Sequence, residues 1–383
     1  MMNRLIELLK YGQSYWLDNL TRGKITSGEL KKRVEEQGLR GITSNPSIFN
    51  KAITGGSDYD DQIAKLVNEG KNPLQIYDAL TIKDVQDACD ILFPVYEKSG
   101  GTDGFVSLEV LPNLARDTEG TIKEARRLYD EVGKKNCLIK IPGTKEGVPA
   151  IEQMLYEGIN INVTLLFSIE SYVAVAQAYI NAITRRVAEG KPINHIISVA
   201  SVFISRIDVL TDQLLDQHIN KAGEDKNTSQ SLQLSGKAGI ATARLCYQRF
   251  KEIFSGADWK KLEEKGAHVQ RPLWASTSNK DPKYNDLRYV DPLIGENTIN
   301  TLPDKTITAF ADHGILKKDA IEEDLDQANA LFGELKKVGI DISLVTQQLE
   351  VEGIQKFIES FDELISNLAD KRLKMLGDIQ SAK

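Results

Sequence analysis

The sequence predicts an α/β protein: a (β/α)8 TIM barrel with extra helices after strand 2 and a helical C-terminal extension. Three observations carry that expectation. Apolar runs of five to nine residues recur along the chain, helical patterns stand between them, and the runs number eight. They are YWLDNL (15–20), GITSN (41–45), FVSLEV (105–110), CLIKIP (137–142), INVTLLF (161–167), HIISVASVF (195–203), RPLWAST (271–277) and TITAF (306–310). Nearly continuous apolar strands joined by helices describe a parallel sheet covered on its outer face. Eight such units close into a barrel, and an open doubly wound sheet is the alternative that pattern alone leaves standing. The 383 residues exceed the ~250 that a barrel needs. The expected organisation is one domain over 1–383, with the barrel over about 15–315 and the helical extension over about 316–383.

The elements follow in order. The opening MMNRLIELLKYGQ has a five-residue apolar run and no small-residue cleavage site, so it reads as an amphipathic helix and not as a signal peptide. Residues 46–104 hold two helices, near 58–69 and 74–98. After Val110, Thr121 to Glu124 reads as a capping box, with Ile122, Ala125, Leu128 and Val132 on one face and Gly133 at the stop. A further helix over 146–157 ends at Gly158. Ser168 suits the N-cap of a long helix reaching Ala188, closed by Gly190. In the charged tail over 315–383, Ile354, Phe357, Ile358, Phe361, Leu364 and Ile365 form a stripe that packs on the barrel. No Gly/Pro-rich stretch reads as a linker.

Composition narrows the function. Hydrophobic residues make up 41%, charged residues 27% and the net charge is −7, so no broad basic surface for nucleic acid or an anionic membrane is expected. A locally basic pocket for a phosphorylated small molecule remains compatible. Cys89, Cys137 and Cys246 stand far apart beside apolar residues and read as buried thiols. No apolar stretch approaches the ~20 residues of a membrane span, and a cytoplasmic location is expected. The four histidines lack metal-ligand spacing; His195 opens a strand on the far face, and His313 follows the eighth run. GGTDG (100–104) precedes a strand and opens no helix, and there is no GxxxxGK phosphate loop.

The informative residues are polar ones inside apolar strands. Alternate strand residues face one side, so Cys137, Ile139 and Ile141 face the helices while Leu138 and Lys140 face the barrel interior. Phe105, Ser107 and Glu109 likewise point inward, and Asn162 shares a face with Thr164. Asp18 interrupts the first run, Asn45 closes the second, and Ser201 and Arg206 stand at the end of the sixth. A buried charge is costly unless paired. A structural Lys140–Glu109 or Lys140–Asp18 ion pair is one account of these residues. The other is a shared site at the C-terminal mouth, where catalytic groups of such barrels collect. An interior lysine suits covalent catalysis: desolvation favours the neutral amine, neighbouring carboxylates oppose it, and the iminium it forms with a ketone is an electron sink. Cleaving the adjacent carbon–carbon bond needs a carboxylate base and an acid to expel water. Lys145, in the loop after the strand, is the rival lysine.

These runs resemble transaldolases, in the longer bacterial form. The pieces are Gly41-Ile-Thr-Ser-Asn-Pro-Ser47, Val106-Ser-Leu-Glu-Val110, Leu138-Ile-Lys-Ile-Pro142, Asn160-Ile-Asn-Val-Thr-Leu-Leu-Phe167 and Ser201-Val-Phe-Ile-Ser-Arg206. The resemblance implies that Lys140 forms the Schiff base and that Asp18 removes the C4-hydroxyl proton. Glu109 and Thr164 hold a catalytic water. Asn45, Asn162 and Ser201 contact the sugar, Phe203 lines the site, and Arg206 binds the phosphate with support from Ser276. Shorter members carry a second arginine where this chain has Ser278, and Lys280 can substitute as a point charge. The implied reaction transfers a dihydroxyacetone unit between sugar phosphates of the non-oxidative pentose phosphate pathway. The pair is sedoheptulose 7-phosphate with glyceraldehyde 3-phosphate, giving erythrose 4-phosphate and fructose 6-phosphate, with no metal or organic cofactor. A simple aldolase using the same Schiff base and a non-enzymatic binding protein on the same barrel are the competing readings.

Overall fold

The computed structural model describes residues 3–222 and 231–381. Eight parallel strands form a closed barrel: β1 (Gln13–Asp18), β2 (Gly41–Thr43), β3 (Phe105–Glu109), β4 (Cys137–Pro142), β5 (Ile161–Leu166), β6 (Ser198–Phe203), β7 (Arg271–Ala275) and β8 (Thr298–Leu302). Each pairs with the next, and β8 closes on β1 through Gln13↔Thr298 to Leu17↔Leu302. The open doubly wound alternative is thereby excluded.

The sequence reading needs correction at the eighth strand. TITAF (306–310) lies inside the helix Asp304–His313, where Ile307 and Phe310, three residues apart, are buried. The strand is Thr298–Leu302, where Thr298, Asn300 and Thr301 interrupt the apolar residues, so it escapes a search for continuous apolar runs. Its Asn300 points out of the barrel and donates to the Tyr289 carbonyl at 3.1 Å, which makes a buried amide tolerable. The region 46–104 holds three helices and not two, because Asn45 caps an additional one at Pro46–Thr54. The helix after β3 starts at Thr118 under an Asp117 cap, so Thr121 to Glu124 is not its capping box, although Gly133 does end it in the left-handed conformation. Ser168 caps Ile169–Ala188, and Gly158 closes Gly147–Glu157, as expected. His195 is exposed just before β6 and does not open it.

Two apolar layers result from strand alternation. Val106, Leu108, Cys137, Ile139 and Ile141 pack outward under the helices. Trp16, Phe105, Leu138, Val199, Leu273 and Ile299 fill the barrel itself. Gly41 on β2 is where Trp16 needs room: a Cβ there would lie 2.3 Å from the indole Cε2. Below this layer Asp103 accepts from Trp16 Nε1 at 3.0 Å and from Ser14 Oγ, and Arg271 approaches it at 3.5 Å. The N-terminal end is thus closed by a polar floor. The three cysteines are buried and unpaired. Among the described residues, no helix is long and apolar enough to cross a membrane.

β5 breaks its own alternation. Leu165 has φ +59°, and the pairing with β6 shifts register between Val163 and Leu166. A left-handed leucine costs ~1–2 kcal/mol. Its effect is to turn Leu165 and Phe167 into the interior cluster while Leu166 joins the outer one. Above this bulge runs the helix Ile342–Ser381, which packs on Pro46–Thr54, Pro73–Lys98, Ser205–Ala222 and the end of β5. The apolar stripe read from sequence is its inner face: Ile354, Phe357 and Leu364 are buried.

Candidate active site

The C-terminal ends of the strands surround a cavity of about 240 Å³. Asp18, Asn45, Lys140, Thr164, Ser201, Phe203, Arg206, Ser276 and Lys280 all line it. Glu109 and Asn162 do not, but each touches residues that do. Lys145 lies in an exposed turn after β4 and takes no part in the cavity.

Register sets the central group. Glu109 of β3 pairs with Lys140 of β4, which pairs with Asn162 of β5. Lys140 Nζ therefore donates to Glu109 Oε2 at 3.0 Å, and it also donates to the Ser44 carbonyl at 3.1 Å. Both side chains are almost fully buried. Burial pushes the Glu109 carboxyl up from the ordinary carboxylate range, against the opposing pull of Lys140. A pair so desolvated carries a burial cost that its mutual attraction must offset. Glu109 Oε1 and Thr164 Oγ1 are both buried without a partner among the described residues, so two polar atoms near the lysine are suited to hold a small polar group.

Asp18 ends β1 on the opposite side of the mouth. Thr43 Oγ1 donates to its Oδ1 at 2.8 Å, and Thr301 Oγ1 lies 2.6 Å from Thr43 Oγ1. Thr43 has one proton, and it goes to the carboxylate, so Thr301 is the donor in the second bond. Burial raises the Asp18 carboxyl above its ordinary range, and Lys140, Thr43, Lys280 and Arg206 pull it back. It is a buried carboxyl within a positive field.

Several polar side chains are already oriented. Asn45 accepts from Ile48 N at 3.0 Å as the cap of Pro46–Thr54, leaving its amide nitrogen as donor. Asn162 donates to Ser107 Oγ at 2.9 Å and accepts from Ser201 Oγ at 2.7 Å. That hydroxyl keeps its lone pairs for another partner.

The other end of the cavity is cationic. Arg206 stands in the first turn of Ser205–Ala222, with one terminal nitrogen buried and unpartnered among the described residues. Burial lowers its pKa, while Asp18 and Glu352 oppose the shift. Lys280 is lowered as well, first by burial and then by Arg206. It donates to Ser278 Oγ, and both residues line the cavity. Ser276, at φ +54°, places its hydroxyl 3.0 Å from Ser205 Oγ. Two cations, hydroxyls and the start of a helix together make a site for a divalent oxyanion.

Sequence reasoning missed Thr43, Thr301 and Phe357. Thr43 shares the inward face of β2 with Gly41, so alternation could have found it. Thr301 was hidden by the misplaced eighth strand. Phe357 belongs to the recognised stripe, but no periodicity says that this residue of the stripe reaches the mouth.

Comparison with known proteins gives the family. Residues 15–368 match the family Transaldolase/Fructose-6-phosphate aldolase. The chain is 50% identical over 380 residues to Transaldolase 2 of Nostoc punctiforme, covering 98% of this chain and 99% of that protein. It is 48% identical over 375 residues to the transaldolase of Trichodesmium erythraeum, covering 97% and 98%. With the transaldolase of Thiobacillus denitrificans the identity is 45% over 367 residues, covering 96% and 100%. A match over nearly the whole chain, closing on a polar barrel mouth of this composition, identifies the protein as an enzyme belonging to the transaldolase/fructose-6-phosphate aldolase family.

Proposed function

We propose that the enzyme transfers a dihydroxyacetone unit from a ketose phosphate, sedoheptulose 7-phosphate or fructose 6-phosphate, to glyceraldehyde 3-phosphate or erythrose 4-phosphate. Lys140 carries the unit as a Schiff base. The observation that carries this reading is the buried Lys140–Glu109 pair, in the same mouth as Asp18 and Arg206. A proton passed across the 3.0 Å contact leaves an uncharged amine beside an acid. The amine adds to the ketose carbonyl, and the carbinolamine loses water when Glu109 returns the proton. Glu109 Oε1 and Thr164 Oγ1 are suited to hold the water that relays it.

Asp18 then takes the proton of the C4 hydroxyl. The C3–C4 bond breaks, its electrons move into the iminium to give an enamine, and the aldose leaves. An acceptor aldose reverses these steps. Arg206, Lys280 and Ser276 hold the phosphate, so the sugar's reacting carbons lie between Lys140 and Asp18. Asn45 and Ser201 are the hydroxyl contacts, with Phe203 beside them, and Asn162 acts by orienting Ser201. The same reading treats 1–383 as one domain and places the enzyme in the cytoplasm, where sugar phosphates are found.

The test is reductive trapping. Fructose 6-phosphate with borohydride should leave a stable three-carbon or six-carbon adduct on Lys140, found by peptide mass spectrometry, and Lys140→Ala should lose both adduct and turnover. An adduct on Lys145, or turnover surviving in Lys140→Ala, refutes the assignment.

A further inference from the structure

The barrel mouth has a roof supplied by the helix Ile342–Ser381. That helix lies close at Gly353, where a Cβ would stand 3.2 Å from Leu165 Cδ2 and 3.4 Å from Phe167 Cζ. The bulge in β5 creates this seat, because the left-handed Leu165 brings both side chains to the mouth side. One turn further along, the Phe357 ring centroid lies 5.8 Å from Lys140 Nζ. Phe357 is 8% exposed and, among the described residues, is the part of the C-terminal extension that lines the cavity. It belongs to the same apolar cluster as Leu165, Phe167, Phe203 and Ile354.

A phenyl ring neither gives nor takes a proton, so its contribution is shape, dryness and an attractive face for a cation. The cation in question is the ammonium or iminium at Lys140. The family itself joins two outcomes, transfer and simple aldol cleavage, and these separate only after the first aldose has left. In transfer, the enamine carbon forms a carbon–carbon bond to the acceptor aldehyde, whose oxygen takes the proton held by Asp18. In loss, the enamine carbon takes that proton and water adds to the C=N carbon. The C–N bond then breaks, freeing dihydroxyacetone and the amine. Bulk water reaching the lysine before the acceptor arrives favours loss.

We propose that Phe357 is a specificity-determining residue, roofing the Lys140 intermediate so that transfer outcompetes hydrolysis. The proposal rests on the Schiff-base reading, and its test separates the two. Free dihydroxyacetone released from fructose 6-phosphate alone is measured beside transfer to erythrose 4-phosphate, on one sample, for wild type, Phe357→Ala and Phe357→Leu. The ratio of release to transfer does not depend on the fraction of active enzyme, so a merely structural role would leave it unmoved. We expect Phe357→Ala to raise the ratio about tenfold and Phe357→Leu, which keeps bulk but no π face, by less. Borohydride trapping on Lys140 is run on all three. An adduct in wild type and both variants with a ratio within about twofold of wild type overturns the roof while leaving the Schiff base standing. No adduct in wild type overturns both. If Phe357→Ala does not fold, Phe357→Leu decides by the same ratio.

Discussion

Replacing Thr43 by Val removes one hydroxyl and keeps the β-branched shape that suits β2. Two bonds are lost, the 2.8 Å donation to Asp18 Oδ1 and the 2.6 Å bond accepted from Thr301 Oγ1, and the first is the one that acts on the carboxylate. A hydrogen bond to a charged acceptor is worth about 1.5–3 kcal/mol, and at ~1.36 kcal/mol per unit its loss moves the carboxyl up by about one to two pKa units. The direction adds to what burial already does, because Asp18 is raised in the folded protein and Thr43 is one of the groups holding it down. Asp18 must be ionised to take the hydroxyl proton, so the acid limb of kcat/KM for transfer should shift to higher pH by about one to two units. At a pH on that limb the rate falls by about 10- to 100-fold, and it recovers as the pH rises. Stability has its own sign. A carboxyl raised on folding stabilises the fold below its unfolded pKa, and that contribution is lost as pH rises through the folded pKa. Thr43→Val should therefore lower the melting temperature most at neutral pH, with the difference from wild type shrinking on acidification to the part that the Thr301 bond contributes. Thr43→Ser keeps the donor and should restore both properties. An acid limb that stays in place in a folded Thr43→Val enzyme would refute Asp18 as the base held by this hydroxyl.

Two further outcomes follow from the geometry. Gly41→Ala puts a Cβ 2.3 Å from the Trp16 ring, and overpacking of this kind costs about 1–3 kcal/mol; chemical denaturation should show it, with partial recovery in Gly41→Ala/Trp16→Leu, and an unchanged midpoint would contradict the layer described. Arg206→Ala should raise KM for fructose 6-phosphate by about 10- to 100-fold through the loss of charge-assisted bonds, with Lys280→Ala less severe because a flexible point charge fixes the phosphate less well. Equal effects on unphosphorylated fructose would place both residues away from the phosphate.

Most of the barrel was legible because its strands are buried on both faces and so read as apolar runs. Alternation alone put Lys140 and Glu109 inside and Asn162 on one face with Thr164, and the register makes Glu109, Lys140 and Asn162 lateral neighbours. The failures share a cause. β8 is stabilised as a strand by its neighbours and by hydrogen bonds such as Asn300 to the Tyr289 carbonyl, information that lies eleven residues away. TITAF, by contrast, has apolar residues at positions that suit a strand face only if the proline before it is ignored; Pro303 stands at the N-cap and Asp304 in the first turn, both helix-start signals. The β5 bulge was invisible for a different reason. Leu165 is an ordinary strand residue by composition, and its left-handed backbone is imposed by tertiary contacts, not by local preference.

That bulge connects the interior chemistry to the extension. Had β5 kept its alternation, Leu165 would face the outer helices, and the helix Ile342–Ser381 would lose the apolar seat beneath Gly353. The strain of one left-handed leucine, ~1–2 kcal/mol, is small beside the burial of side chains such as Phe357, Ile354 and Leu364, each worth about 1.5–3 kcal/mol. The helix is further anchored far from the mouth, where Lys371 pairs with Asp60 at 2.5 Å and Arg372 donates to the Lys71 carbonyl at 2.9 Å. Asp60 lies on a helix inserted between β2 and β3 and Lys71 in the loop after that helix, so the insertion and the C-terminal extension brace one another. The two additions to the minimal barrel are therefore one structural device. The insertion supplies the post, the bulge supplies the seat, and the helix between them carries Phe357 to within reach of Lys140.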